Sequence, residues 1–330
     1  MADESPLEAP TRSKSVRRNI VVVGASWGGV DALRQLVSKL PSDLPAAVFV
    51  VLHVAPDATS MMPALLSRAG PLPALHPADG EEFRPATIYV APPDRHLLVE
   101  TGRVRVSAGP RENRFRPAID TLFRSAAACY GPRVAGVILT GAQDDGTAGL
   151  AYVKAHGGAT LVQDPSEAFC PDMPRSALTH VRVDYCLPLN ALSSTLVALA
   201  TAPAAAGSPE HPREGVPMPE QGPEDGFEVS QFTCPDCHGT LWVRDGDVVE
   251  FQCRIGHRYS AESMVDSLGD SVERAQWAAV RALEEKAELY HRLALRLRSA
   301  DGVKAKFENT ARDAERQARV LRDLLSEPRR

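Results

Sequence analysis

The sequence predicts an α/β fold, a doubly wound and mostly parallel open sheet with helices on both faces, followed by a small cysteine module and a helical hairpin. Three observations predict it. Between residues 19 and 201, short and nearly continuous apolar runs alternate with amphipathic stretches, as strands buried on both faces of a parallel sheet require. A proline-rich stretch closes that region, and four potential metal ligands follow at knuckle spacing. Two long segments then repeat apolar residues every three or four positions, the period of a helix with one buried face.

Residues 1–18 are polar, lack an apolar leader segment, and read as a disordered tail with no signal peptide. Strands are predicted at 20–23, 47–53, 87–90, 134–139, 160–162 and 184–187. Helices are predicted between them at 30–40, 60–68, 117–129, 147–156 and 191–201. Residues 96–99 and 104–107 flank a Thr-Gly turn and predict a local hairpin. Residues 202–226 hold Pro203, Pro209, Pro212, Pro217, Pro219 and Pro223 without apolar periodicity, which makes them a linker. A compact module occupies 227–260. In the final segment, 261–330, one stripe comprises Val280, Leu283, Ala287, Tyr290, Ala294 and Leu297. A second comprises Val303, Phe307, Ala311, Ala314, Ala318, Leu321 and Leu325. Asp301-Gly302 supplies the expected turn of an antiparallel hairpin.

A net charge of -5 and a pI near 6.0 argue against a dedicated nucleic-acid binder. The longest apolar run, 46–54, contains His53 and is too short to span a bilayer, so no membrane insertion is expected. Over 261–330, 14 basic residues face 13 acidic ones, a balance that suits solvated helix faces. Cys129, Cys170 and Cys186 are scattered, so no disulfide framework is indicated and the chain reads as cytoplasmic.

The first predicted strand runs into Gly24-Ala-Ser26-Trp27-Gly28-Gly29 and then a helix. A dinucleotide fingerprint fails here twice: Ser26 stands where a pyrophosphate needs glycine, and the next strand ends in His53 instead of an acid. The same residues spell Gly24-x-Ser26-x-Gly28, a strand-to-helix turn that can expose a serine oxygen above a sheet edge. His53 closes the second strand. Asp145 lies in the exit loop of the strand at 134–139, although Asp144 or Asp145 could instead cap the following helix. In an open sheet the carboxyl ends of neighbouring strands line one crevice. A serine, a histidine and a carboxylate there predict nucleophilic hydrolysis, with Ser26 as nucleophile, His53 as base and Asp145 holding the base.

Residues 19–200 resemble the catalytic domain of the chemotaxis protein-glutamate methylesterases (CheB-type). The matching stretches, in the family's order, include Gly24-Ala-Ser26-Trp-Gly-Gly29, Val51-Leu-His53-Val-Ala-Pro56, and Ile88-Tyr-Val-Ala-Pro92 with His96. They continue with Asn113-Arg-Phe-Arg116-Pro-Ala-Ile-Asp120, Leu139-Thr-Gly-Ala-Gln-Asp-Asp145-Gly146, Gly157-Gly-Ala-Thr with Gln163-Asp164, and Met173-Pro-Arg175. The resemblance implies the triad Ser26, His53 and Asp145. It implies hydrolysis of glutamate γ-methyl esters on the cytosolic helices of a chemoreceptor, and in some members deamidation of receptor glutamine by the same acyl-enzyme route. Catalysis would need no cofactor. Backbone N–H groups near Ala142 are the expected oxyanion donors, with the turn at Ser26 and Trp27 contributing. Arg114, Arg116 and Arg175 are candidates to line the substrate cleft, against the plainer reading of arginines that staple loops.

The chain departs from the family pattern at Ala142-Gln143, where Met-Gly is common, and at Trp27, where threonine often follows the serine. Family members usually carry an N-terminal receiver domain; only about 18 residues precede the first strand here. Phospho-activation of this polypeptide is therefore not expected.

Cys234-Pro-Asp-Cys237, then Cys253-Arg-Ile-Gly-His257, form a Cys3His set that predicts a closed, structural zinc site. A hairpin around Asp245-Gly246 would bring the two knuckles together. Three arginines face four acids across 234–259, so docking to another chemosensory protein or to the first domain fits better than nucleic acid. Competing readings of the whole are a catalytically silent signalling adaptor and a serine esterase or amidase for another substrate.

Overall fold

The computed structural model describes residues 16–201, 203–204, 226–296 and 301–326. Two compact units divide the chain, residues 1–263 and 264–330. The first unit begins with β1 (Val16–Arg17), β2 (Ile20–Ala25), α1 (Gly29–Ser38), β3 (Ala47–Leu52), α2 (Met62–Ala69), β4 (Ala74–Leu75) and β5 (Ile88–Val90). It continues through β6 (His96–Glu100), β7 (Arg103–Ser107), α3 (Ile119–Tyr130), β8 (Val134–Ile138), α4 (Thr147–Ala155) and β9 (Ala159–Gln163). Next come α5 (Asp172–His180), β10 (Tyr185–Leu187), α6 (Leu189–Thr201) and β11 (Pro203–Ala204).

Seven strands form one parallel sheet in the order β10-β9-β8-β2-β3-β5-β4. Side-chain alternation along its strands decides the layers. Val21, Val23 and Ala25 of β2 join Val48, Val50 and Leu52 of β3 under α1, α2 and α6. Ile20, Val22, Ala47, Phe49 and Val51 face the opposite way, against α3, α4 and α5. Both faces are therefore dry, and each fully buried Val or Leu contributes about 1.5–3 kcal/mol relative to exposure. That double burial is why the predicted strands read as continuous apolar runs. From β2 the chain winds outward through β3 on one side and later through β8 on the other, so the crevice between β2 and β8 is the topological switch point.

The predicted hairpin appears as β6 and β7, paired from His96 opposite Ser107 to Glu100 opposite Arg103. Helix α5 was not legible: its mean hydropathy is low, and Pro171 and Pro174 mask its start. The tail and linker assignments, 1–18 and 202–226, need correction at their inner ends. Val16 pairs with Ala204 and Arg17 with Pro203, antiparallel; a two-residue backbone ladder leaves no hydrophobic period to read. Residues 1–15, 202 and 205–225 of these segments lie outside the described residues.

The cysteine module, with β12 (Glu228–Thr233), β13 (Thr240–Arg244), β14 (Glu250–Cys253) and β15 (Arg258–Ser260), is a four-stranded antiparallel sheet. β15 runs directly into α7 (Ala261–Arg296), which carries the chain into the second unit, where α8 (Asp301–Ser326) follows. There Val280, Ala287 and Ala294 of α7 and Ala311, Ala314 and Ala318 of α8 are buried. Tyr290 meets Phe307 edge-on at 5.5 Å, and His291 Nε2 lies 2.9 Å from Glu315. Arg322 also pairs with Glu284, which fixes the antiparallel sense. Asp301 and Gly302 belong to α8 and do not form the predicted turn; the connection at 297–300 lies outside the described residues. No described helix is long and apolar enough to cross a membrane.

Candidate active site and metal-ligand cluster

Ser26 and His53 each follow a paired rung of the central sheet. Ala25 is in register with Leu52, and the His53 N–H donates to Ala25 O at 3.2 Å. Ser26 N–H donates to Thr140 O at 3.0 Å, anchoring the turn to the end of β8. The glycines beside Ser26 have separate physical causes. A Cβ at Gly24 would lie 2.4 Å from Ile119 Cγ2, so only glycine lets α3 close over β2. Gly28 has φ +75 and begins α1, and a Cβ there would meet Phe169 at 2.6 Å. The left-handed residue of the turn is thus Gly28, while Ser26 keeps an ordinary backbone.

The loop after β8 places Asp145 beneath His53. The ring's Nε2 lies 2.8 Å from Asp145 Oδ2, and both side chains are almost wholly buried. The same carboxylate accepts from Ile119 N–H at 2.7 Å, from Asp120 N–H at 3.3 Å and from Asn113 Nδ2 at 2.9 Å. Asp145 therefore satisfies the first two N–H groups of α3, which has no cap of its own. Asp120 does the same for α4, accepting from Gly149 N–H at 2.6 Å. Burial by itself would push the Asp145 carboxyl up; its bonds from His53, Ile119 and Asn113 outweigh that and hold it below its ordinary value. Burial, and then the Asp145 charge, push Asp120 well above its own.

With Nε2 committed to Asp145, the other ring nitrogen is left for chemistry. His53 Nδ1 is buried and has no hydrogen-bond partner. Phe115 lies flat on the imidazole, 3.7 Å between centroids and 6° from parallel, and fixes the plane in which that nitrogen points. A hydroxyl, an unpartnered ring nitrogen and a buried carboxylate at the ends of three neighbouring strands can support acyl transfer. Within the chain no hydrogen bond among the described residues takes up the Ala142 N–H, while the neighbouring Gly141 N–H is spent on Cys170 O at 2.9 Å.

Other predicted residues divide. Trp27 is 69% exposed beside Ser26, and Arg175 is exposed on α5. Arg116 is not free to meet a substrate. Its Nε and Nη2 bond Asp94 at 3.0 and 2.8 Å, and Nη1 bonds the carbonyls of Ala108 and Gly109 at 3.0 and 2.9 Å. It staples a loop, as the plainer sequence reading had it. His96 is structural too: Nε2–H donates to Pro110 O at 2.8 Å and Nδ1 accepts from Ala118 N–H at 3.3 Å. Burial lowers its proton affinity. Asn113, Phe115 and Asp120 were missed as site residues, although all three fall in one stretch that carries the family resemblance.

The neighbouring Asp144 is a different case. Burial, opposed by a bond to Ser260, pushes its carboxyl up to about 6, and its buried Oδ1 has no partner. The folded chain thus keeps this proton to a higher pH than the unfolded chain, and stability falls as pH rises from about 4 through 6. Asp144→Asn is expected to raise Tm near pH 7.5, by the equivalent of roughly 2–3 kcal/mol, and to have little effect near pH 4. Equal melting shifts at both pH values would contradict that assignment.

In the cysteine module, Cys234, Cys237, Cys253 and His257 bring their ligand atoms within 4.8 Å of one another. His257 Nδ1 lies 3.7 Å from Cys234 Sγ and 3.4 Å from Cys253 Sγ, and Cys237 Sγ is 3.6 Å from Cys253 Sγ. Ligand bonds of about 2.3 Å to sulfur and 2.0 Å to nitrogen give tetrahedral edges of roughly 3.5–3.8 Å. The four residues therefore fit one tetrahedral cation. Each knuckle closes through its backbone, His238 N–H to Cys234 O and Gly256 N–H to Cys253 O, both at 2.9 Å.

A model of the CheB methylesterase family matches residues 21–196, more than half of the 330. The chain belongs to the CheB methylesterase family. Among curated relatives, protein-glutamate methylesterase/protein-glutamine glutaminase 2 of Methanosarcina mazei is 33% identical over 194 residues, covering 56% of this chain and 53% of the relative. A Leptospira interrogans relative with the same two activities in its name is 36% identical over 180 residues, covering 54% of this chain and 93% of the relative. The chain thus spans about half the length of the Methanosarcina relative and nearly all of the Leptospira one. Among solved structures, the Thermotoga maritima CheB methylesterase catalytic domain matches with a TM-score of 0.53 and 34% identity, over 56% of this chain and 100% of that one. This CheB methylesterase domain and its match end before the cysteine module begins.

Proposed function

We propose that this protein hydrolyses glutamate γ-methyl esters on the cytosolic helices of methyl-accepting chemoreceptors, and deamidates receptor glutamine at the same site. The observation that carries the reading is the buried Asp145–His53 bond, which leaves an unpaired Nδ1 at the sheet edge that also bears Ser26. Asp145, held ionised, favours the tautomer with a proton on Nε2 and a lone pair on Nδ1. As Ser26 Oγ bonds to the ester carbonyl carbon, Nδ1 takes the hydroxyl proton. The carbonyl oxygen becomes an oxyanion that the Ala142 N–H and the Trp27 turn stabilise; one such donor contributes about 3–4 kcal/mol. His53 then protonates the departing methoxide, and methanol leaves an acyl-Ser26. Water attacks the acyl carbon, gives its proton to Nδ1, and releases the glutamate carboxylate as Ser26 regains its own. With glutamine the leaving group is ammonia. Exposed Trp27 and Arg175 suit contact with the receptor helix, and a substrate on cytosolic helices calls for a cytoplasmic enzyme.

Incubating the protein with a methylated receptor peptide should convert the ester to a carboxylate, a loss of one methylene by mass spectrometry. An unchanged ester signal would remove receptors as substrates, and the exclusion would extend to all esters if p-nitrophenyl acetate were also untouched.

The Cys3His set would hold one structural zinc ion, and supplying four ligands leaves that ion no open position. Its chemistry there is to cross-link two knuckles; no step of hydrolysis is routed through it. Purified protein is expected to carry about one zinc per chain, lost on Cys234→Ser. Metal-free wild type with a folded module would refute this.

A further inference from the structure

The turn Glu112–Phe115 stands between the triad and the cysteine module and touches both. It closes through Phe115 N–H to Glu112 O at 2.8 Å, and its two central residues, Asn113 and Arg114, have φ +49 and +72. A non-glycine pair in this left-handed region persists only where its surroundings fix it. On the catalytic side, Asn113 Nδ2 donates to Asp145 at 2.9 Å and to Asp120 at 2.7 Å, and Phe115 is stacked on His53. On the other side the partners of Asn113 come from β15 and the first turn of α7. Asn113 N–H donates to Arg258 O at 2.9 Å. Asn113 Oδ1 accepts from Ser260 N–H at 2.8 Å and from Ser263 Oγ at 3.0 Å. Glu112 is buried against the Arg124 and Arg258 charges, which overcome burial and keep it ionised. Both amide hydrogens and both acceptor positions of Asn113 are thus occupied, the first by Asp145 and Asp120 and the second by the module.

Strand β15 is held by the metal-ligand cluster. It follows His257 directly, and its Tyr259 hydroxyl donates to Asp236 at 2.7 Å, inside the first knuckle, and lies 3.4 Å from Cys234 Sγ. We propose that Asn113 is a positioning residue for the catalytic acid, and that the assembled cysteine module sets the rate of hydrolysis by clamping Asn113 from behind. The inference rests on the esterase and metal readings above. Loss of the cation frees β15, Asn113 loses the acceptors' partners that orient its amide, and Asp145 and the His53 plane loosen together.

The test uses the full chain and p-nitrophenyl acetate. Ser263→Ala, which removes one bond to Asn113, is expected to lower kcat several-fold with KM unchanged. Asn113→Ala and chelation of the wild type are expected to cost on the order of a hundredfold, the effect of an ångström-scale misplacement. Chelation of Asn113→Ala should add little further loss, because both act through one contact. The downfield proton resonance of the His53–Asp145 bond should shift in each case while circular dichroism stays folded. Wild type inactive on any ester would sink the esterase reading, and metal-free active wild type would sink the metal reading. Active, metal-loaded wild type whose kcat and downfield resonance ignore Ser263→Ala and Asn113→Ala would overturn this proposal alone. So would chelation that costs activity only in step with global unfolding.

Discussion

Ser26→Ala is expected to abolish ester turnover, by about 10⁶-fold in kcat, while leaving KM and Tm close to wild type. The magnitude follows from what the hydroxyl does. Without it no acyl intermediate forms, and His53 Nδ1 can only direct water at an ester it was not placed to meet. The fold should tolerate the change. Ser26 is half-buried, its structural bonds run through its backbone to Thr140 and Gly29, and among the described residues its side chain bonds no neighbour. A serine-reactive phosphonate should label wild type and not the variant. Labelling of both would place the nucleophile elsewhere; labelling of neither would favour the silent-adaptor reading.

Asp145→Asn is the second large effect, on the order of 10⁴ in kcat. Asp145 Oδ2 accepts from Ile119 N–H and meets His53, while Oδ1 accepts from Asp120 N–H and Asn113, so the single carbonyl of an asparagine can serve only one of the two sets. In either orientation its NH2 faces donors, and the negative charge that holds the His53 proton on Nε2 and stabilises the imidazolium is gone. Substrate binding should survive, so the loss should fall on kcat and not on KM. Preserved kcat would show that the buried carboxylate is only a helix cap.

Much of this arrangement was legible in the chain. Strands buried on both faces announce themselves as apolar runs, and the residues that follow them, Ser26, His53 and Asp145, stand out because they interrupt that pattern with chemistry. The Cys3His spacing is similarly self-declaring. What lay beyond reach was orientation. Which nitrogen of His53 meets Asp145, and that Asp145 and not Asp144 is the one to reach it, depend on where α3 begins relative to β8. Arg116 looked like a substrate ligand because its charge is visible in sequence and its partner Asp94 is not. The role of Asn113 was hidden most completely. Two of its four side-chain bonds come from Ser260 and Ser263, about 150 positions away, and no periodicity links residues across such a span.

Since Ser26 and His53 each sit one step past a hydrogen-bonded rung, the separation of their backbones is inherited from the strand spacing, about 4.8 Å in any sheet. Trp27 and the Ala142-Gln143 segment can therefore be exchanged through evolution or design to suit a new ester, with the reactive pair carried along unchanged by the backbone lattice. A library that changes side chains at those positions and keeps their backbone course should vary selectivity more than reactivity.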